Sequence, residues 1–438
     1  MKTSIKNIFL FAGLFLSAMS TVLAATPEKI FQQAEHYTVE IKGSIDKPFV
    51  WDSRASYKAT GFVVDKKRGW IITNAHVSGR SPSVLTASFK HGDPFRVVPV
   101  YIDPVLDLAI LKGPVEKFPK FVTQASLECN HIVQSGHPVG AYGYPYSLKY
   151  TATRGIVSGT NVRDDRESLQ TDAPINSGNS GGPLISLVNG KVVGINSSKI
   201  SQSGVEGLNF AIAAPYACRI INLLHEGRDP SPADLPAAFF EESQAAPPVV
   251  AEPSTHLKNN PLRPGDAVVG VVGYPKEITS LYQLQNAMRG ATSPVTWRVK
   301  RNGKVIKITF PIHHLTRVQS RTGVYMSGLI ISRDTLTAEN RPGKHSRLMI
   351  HYVDRGAAGS VFNFAPFQYI VSVDGKQFDT ARSLYDYLKT LKPEQSISIK
   401  VKSDTYNLMR QYDYYQAKVP LENLQWIKFG TKKPGGQS

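Results

Sequence analysis

From about residue 30 to residue 215, apolar and polar positions alternate in short bursts separated by turn-forming residues. Tyr37-Thr-Val-Glu-Ile-Lys42, Thr60-Gly-Phe-Val-Val-Asp65, Gly69-Trp-Ile-Ile-Thr73 and Leu106-Asp-Leu-Ala-Ile-Leu111 are examples. Bursts this short and this closely spaced predict an all-β sandwich or a pair of β-barrels. After Pro215 the period changes, and Ala217, Ile220, Ile221 and Leu224 fall on one face of a helix that ends near Gly227.

Residues 228–255 are rich in Pro and Ala, the composition of a linker or an irregular start to a domain. Two stretches with one shared grammar follow. The first runs Leu262-Arg-Pro-Gly-Asp-Ala-Val-Val-Gly-Val-Val-Gly273, a helix from Ser280 to Met288, then strands at Val295–Arg301 and Val305–Pro311. The second runs Phe367-Gln-Tyr-Ile-Val-Ser-Val-Asp-Gly375, a helix from Thr380 through Leu388, then Ser396-Ile-Ser-Ile-Lys-Val-Lys402. Strand, turn, helix and strand, twice over, read as a repeated small α+β module.

The chain has 438 residues, too many for one core, and 41% of them are hydrophobic, which suits several folded domains. Its 51 Lys+Arg against 34 Asp+Glu leave a formal charge of +17. Such a balance raises nucleic acid or an anionic membrane as partners. The basic residues are dispersed, however, and the densest stretch, Arg298 to Lys307, alternates like a hairpin around Asn302-Gly303. A solvated basic surface accounts for it, and no basic-aromatic or helix-turn-helix pattern supports nucleic-acid binding.

At the N-terminus, Lys2 and Lys6 precede an apolar run from Ile8 to Leu23, and Val22-Leu23-Ala24 has the small-residue spacing of a cleavage site. Charged region, apolar region and cleavage site in that order predict a signal peptide over 1–24 and export, most simply to a bacterial periplasm, with further secretion open. A membrane anchor is the competing reading. The run of about 16 residues, interrupted by Gly13, Ser17, Ser20 and Thr21, is short for a span of about 20, so no integral span is expected in the mature chain. Cys129 and Cys218 could form one disulfide in an oxidising compartment, but without a distance between them two buried thiols is the preferred expectation. Neither has a CxxC partner or a His cluster nearby, and no spacing in the chain implies a metal or a cofactor.

The chemistry concentrates at Gly178-Asn-Ser-Gly-Gly182. A Gly-x-Ser-x-Gly string can form the strand-to-helix elbow of an α/β-hydrolase. Here Leu184-Ile-Ser-Leu-Val188, Asn189-Gly190 and Lys191-Val-Val-Gly-Ile195 follow, and Asn-Gly between apolar runs signals a hairpin. A strand therefore follows the serine and the elbow reading fails. The glycines then suit a tight loop that aims backbone N–H groups at a substrate carbonyl. A serine hydroxyl needs a base, and the base needs an orienting carboxylate. His76 ends a β run in Thr73-Asn-Ala-His-Val77, and Asp107 sits among aliphatics in Val105-Leu-Asp-Leu-Ala-Ile-Leu111. The order His, Asp, Ser is that of the chymotrypsin group. A lone buried His or Asp is usually structural, and only the set in order carries weight.

Residues 30–226 resemble the trypsin-like protease domain of the HtrA/DegP family. The matching elements are Thr73-Asn-Ala-His-Val77, Asp107-Leu-Ala-Ile-Leu-Lys112, Arg154-Gly-Ile-Val-Ser158, Thr171-Asp-Ala-Pro-Ile-Asn-Ser-Gly-Asn-Ser-Gly-Gly-Pro-Leu184 and Gly207-Leu-Asn-Phe-Ala-Ile212. The two later modules resemble PDZ domains, the first through Arg263-Pro-Gly-Asp-Ala-Val-Val-Gly-Val-Val-Gly273 and the second more loosely through Asp374-Gly375. The resemblance implies a mainly β fold, with a chymotrypsin-like double β-barrel followed by two small α+β PDZ-like domains. The boundaries it implies are 25–228 for the protease domain, 229–315 for the linker and first module, 316–421 for the second, and a basic tail over 422–438. It assigns Ser180 as nucleophile, His76 as base and Asp107 as orienting acid. Gly178, Asn179 and Ser180 would form the oxyanion hole, and Pro174, Asn196, Ser197 and Ser198 would contact substrate.

In this fold the residue six before the nucleophile sits at the base of the S1 pocket. Pro174 is uncharged, so a small or aliphatic P1 residue is expected in place of Lys or Arg. Relatives often have Ala there, and Pro where this chain has Ser177. The implied activity is ATP-independent cleavage of unfolded or misfolded proteins, with assembly as a trimer or multiple of trimers and chain capture by β-augmentation. Phe31, His36 and Tyr37 could serve the trimer contact or ordinary packing. The competing functional class is a peptide-binding holdase with a latent protease domain. Lys42 and Thr60 lie close in sequence, so the long regulatory loop of some relatives is missing and weak self-inhibition is expected. Pro236-Ala-Ala-Phe-Phe-Glu-Glu-Ser243 replaces a recognisable carboxylate-binding loop in the first module.

Overall fold

The computed structural model describes residues 26–144, 150–163, 166–199, 208–240, 247–255, 257–333, 347–406 and 412–429. The signal-peptide expectation over 1–24 lies outside them. Helix α1 (Pro27–Glu35) leads in, with Ile30 and Ala34 buried. Phe31 stacks on Tyr142 with ring centroids 5.9 Å apart, and Tyr37 is buried beside Phe62.

Strands β1 (Thr38–Ile45), β2 (Ala55–Asp65), β3 (Trp70–Thr73), β4 (Val84–Ser88), β5 (Phe95–Asp103) and β6 (Leu108–Lys112) close into a barrel in the order β1-β2-β3-β6-β5-β4. Strands β7 (Pro138–Gly143), β8 (Thr151–Arg163), β9 (Arg166–Thr171), β10 (Pro183–Ser186), β11 (Val192–Lys199) and β12 (Asn209–Ala213) close a second, in the order β10-β11-β12-β9-β8-β7. Closure leaves no free edge in either sheet. Inward residues such as Ile41, Phe62, Ile72, Leu108 and Ile110 of the first barrel share one core with Val139, Leu184, Ile195 and Ile212 of the second. Helix α2 (Ala75–Ser78) is a single turn after β3, and α3 (Ala214–His225) follows β12 with Ala217, Ile220 and Ile221 buried, as the period predicts.

Cys129 and Cys218 are bonded, with Cα atoms 5.7 Å apart, which corrects the expectation of two thiols. Folding brings the loop that pairs Leu127 with Val192 beside α3, a proximity that no local pattern encodes.

The first small module holds β13 (Ala237–Phe239), β14 (Val250–Pro253), β15 (Ala267–Val271), α4 (Leu281–Met288), β16 (Val295–Arg301) and β17 (Lys304–Phe310). Ser280 caps α4 by accepting the Gln283 N–H, and Asn302-Gly303, both at positive φ, turn β16 into β17. The second holds β18 (Thr322–Met326), β19 (Leu329–Arg333), β20 (Leu348–Val353), β21 (Tyr369–Val373), α5 (Ala381–Leu388), β22 (Ser396–Tyr406), β23 (Tyr412–Pro420) and β24 (Gln425–Lys428). Its sheet runs β23-β22-β21-β20-β19-β18-β24. Residues 425–428, expected as tail, thus add an edge strand, because Ile427 is buried against Phe49 and Ile330 while Trp426 packs on Tyr385 of α5.

Phe49, in the short β1–β2 loop, is fully buried against this sheet, and Arg54 of the same loop pairs with Asp354. The loop that lacks the long insertion therefore docks the second module onto the protease barrel.

Candidate active site

The site forms where the barrels meet. β3 and β6 are antiparallel neighbours with Thr73 opposite Ala109, so the residues after one and before the other are adjacent. His76 follows β3 on α2, and Asp107 precedes β6. The expected strand from Leu106 starts instead at Leu108, because residues 104–107 make a turn. The Asp103 carboxylate accepts the N–H groups of Val105 (3.0 Å) and Leu106 (2.9 Å). Asp107 ends the turn at φ +57°, a left-handed conformation that Asp tolerates better than bulky residues.

That conformation directs a buried carboxylate at the histidine. Asp107 Oδ2 lies 2.8 Å and Oδ1 3.1 Å from His76 Nδ1, and Oδ1 also accepts the His76 backbone N–H at 3.0 Å. An acceptor at Nδ1 places the ring proton there and leaves Nε2 as the basic nitrogen. The His76 side chain is 46% exposed, so the ring is open to solvent. Ser197 Oγ donates to Asp107 Oδ2 at 2.8 Å.

The second barrel supplies the serine. Gly178 (φ +104°) and Gly181 (φ +82°) occupy backbone conformations closed to most residues, and a Cβ on Gly181 would lie 2.1 Å from Thr73 Oγ1. Thr60 ties this loop to the first barrel. Its hydroxyl donates to the Gly178 carbonyl at 2.6 Å, and its N–H to the Ser180 carbonyl at 3.0 Å. Among the described residues the N–H groups of Gly178 and Ser180 carry no hydrogen bond, the condition for binding an oxyanion. Asn179 is fully buried with neither amide atom hydrogen-bonded, so its loop is held through backbone contacts.

Ser180 Oγ donates to the Ser197 carbonyl at 3.0 Å, and no hydrogen bond joins it to His76 among the described residues. His76 and Asp107 are thus joined, and Ser180 stands apart from them on the Ser197 carbonyl.

The expected substrate contacts divide. Pro174 is exposed, and its carbonyl accepts from Thr153 Oγ1 at 2.9 Å. Asn196 is fully buried, donating its amide to the Pro183 carbonyl at 3.2 Å, which makes it a support of the serine loop. Ser197 carries the hydroxyl on Asp107, and Ser198 lies in β11 with its side chain outside the described residues. A register shift between Asn196 and Ser198 turns Ser197 toward Asp107. Among the described residues no group of His, Cys, Asp and Glu is arranged to hold a metal.

A sequence-family profile described as a trypsin-like peptidase domain matches residues 59–195, the span containing all three residues. A Chlamydia trachomatis protein named "probable periplasmic serine endoprotease DegP-like" is 28% identical over 379 residues, 80% of this chain and 73% of the relative. "Serine protease Do-like HtrB" of Bacillus subtilis is 32% identical over 274 residues, 60% of this chain and 56% of the relative. The chain carries a trypsin-like serine peptidase domain and is similar to the HtrA/DegP serine endoproteases. The fold agrees: the solved structure "HtrA-type protease AlgW with decapeptide" covers 67% of this chain and 99% of its own, with TM-score 0.50 and 22% identity. Like that structure, the chain carries the double barrel, followed by sheets consistent with PDZ domains. No described helix is long and apolar enough to cross a membrane.

Proposed function

We propose that this chain, similar to the HtrA/DegP proteases, is an exported, ATP-independent endopeptidase that cleaves unfolded or misfolded polypeptides through an acyl-enzyme on Ser180. The observation that carries the reading is the bonded set His76–Asp107–Ser197 beside Ser180, whose loop offers two unengaged N–H groups. His76 Nε2 takes the Ser180 proton as Oγ attacks the scissile carbonyl, then returns it to the departing amine. The Gly178 and Ser180 N–H groups receive the oxyanion, each such donor contributing about 3–4 kcal/mol at the transition state. Asp107 holds the imidazole tautomer and stabilises the imidazolium.

The uncharged Pro174 supports a small or aliphatic P1 residue, and the periplasmic relatives support export. Trimeric assembly is part of the same reading by family resemblance. The contact of Ser180 with the Ser197 carbonyl favours a latent resting state that engages His76 once substrate is bound. Wild type and Ser180→Ala are compared on unfolded casein. Cleavage by wild type alone supports the proposal, and identical behaviour of the two, active or inactive, defeats it.

A further inference from the structure

The most deeply buried ion pair among the described residues lies outside the triad, across the junction between the protease barrels and the first PDZ-like module. Arg289, directly after α4, pairs with Asp103 at the end of β5, with side chains 2% and 0% exposed. The guanidinium also donates to the Pro230 carbonyl at 2.8 Å, and Tyr101 Oη donates to the same Asp103 oxygen, Oδ2, at 2.9 Å. From the other side, Arg219 of α3 donates to the Arg289 carbonyl at 2.9 Å. The end of α4 is clamped between α3 and β5.

Asp103 is also the residue whose second oxygen, Oδ1, caps the turn ending at Asp107. One carboxylate thus has two jobs on its two oxygens. Oδ2 is fixed by the module, and Oδ1 fixes the turn that gives Asp107 its left-handed backbone. A buried ion pair is a poor source of stability, because the cost of dehydrating both charges offsets most of their attraction. Its best-attested use is to specify one arrangement over its neighbours. Here the arrangement specified is the seat of α4 against the loop carrying the orienting acid.

We infer that Arg289 is a positioning residue for the catalytic aspartate: it holds Asp103 in the rotamer that caps the 104–107 turn, so Asp107 meets His76 only while the first module is seated. The inference rests on the triad reading above. It makes the first module part of the protease site, and any ligand that shifts α4 then acts on the turn through one guanidinium.

The full chain is tested as Arg289→Met, Arg289→Lys and the double variant Asp103→Asn/Arg289→Met. The double variant removes both charges of the pair together and keeps an oxygen for the Val105 and Leu106 N–H groups, so it covers the case in which Arg289→Met fails to fold. Two readouts are taken on folded protein: kcat and KM on fluorescein-labelled casein, and hydrogen exchange of the segment 103–111. The expected result for Arg289→Met and the double variant is a kcat at least tenfold lower, KM within threefold, and faster exchange confined to 103–111. Arg289→Lys should recover most of both. Wild-type kcat and exchange in either folded Met-containing variant overturns the inference, as does a loosening spread evenly over the barrels. If wild type itself proves inactive, the protease proposal falls, and exchange at 103–111 still decides the role of Arg289.

Discussion

His351 sits where the second module meets the protease barrel, and acid should part the two there. The ring is buried on β20, edge-on to Phe49 with centroids 5.3 Å apart. Nδ1 accepts the Val50 N–H at 3.2 Å, and Nε2 donates to the Arg333 carbonyl at 2.8 Å, so the docked form is the neutral tautomer. Burial, followed by the nearby Arg321 charge, pushes the imidazole from 6.5 down to about 3. The unfolded or undocked ring takes a proton below about 6.5, whereas the docked ring takes none until the pH nears 3. The open state binds more protons throughout that window, so stability is complete above 6.5 and falls as the pH is lowered. Well below 6.5 each pH unit costs about 1.4 kcal/mol, which gives about 2.7 kcal/mol between pH 7.5 and 4.5. Local release of the Phe49 loop hydrates the ring more cheaply than global unfolding, so this is a ceiling. His351→Gln can keep an acceptor for Val50 and a donor for Arg333 without titrating. Carboxylates that the fold holds below their usual range are common to both proteins and cancel in the difference. Asp266 is one, where Arg301 and the Arg263 N–H outweigh burial. Urea denaturation of both proteins at pH 7.5, 6.5, 5.5 and 4.5 is the assay. Wild type should lose up to about 2.7 kcal/mol more than the variant between pH 7.5 and 4.5. Parallel pH profiles would refute the reasoning.

Other consequences can be checked more briefly. Ser197→Ala removes a hydrogen bond to a charged carboxylate, a contact of about 1.5–3 kcal/mol, so kcat on casein should fall about 10–100-fold with KM little changed. Unaltered kcat would show that this hydroxyl only fills space. Reduction of Cys129–Cys218, 89 residues apart, should cost about 4–5 kcal/mol by loop closure, read as a drop in the urea midpoint under reductant. Phe49→Ala should cost about 3–5 kcal/mol at the docked surface and make the β1–β2 loop a preferred site of limited proteolysis. An unchanged cleavage pattern would argue against docking through Phe49.

The β-rich first half was legible in the apolar pattern, which left a sandwich or a pair of barrels open until the family resemblance pointed to the double barrel. The three candidate residues were picked out from local patterns. The Asn-Gly hairpin after Ser180 separated a strand from a helix, and Asp107 stood out as a charge among aliphatics. Helices α4 and α5 announced themselves by period and by their Ser280 and Thr380 caps. The misses are all long-range. Nothing local distinguishes Ser197 from Asn196 and Ser198, and the bulge that turns its hydroxyl to Asp107 depends on pairing with β12. The disulfide needed a distance between two loops. Trp426 and Ile427 read as tail because their partners, Tyr385 and Phe49, lie far off in the chain. No local pattern sets Arg289 apart from the chain's other cations, and only its contact with Asp103 does so.

The central claim is that Ser180 is the nucleophile that His76 activates. Peptide mapping of the folded protein after reaction with a fluorophosphonate tests it directly. The adduct should fall on Ser180 alone and be lost in Ser180→Ala and in His76→Ala. Casein cleavage with no adduct on Ser180, or an adduct on another serine that accompanies loss of activity, would contradict the account.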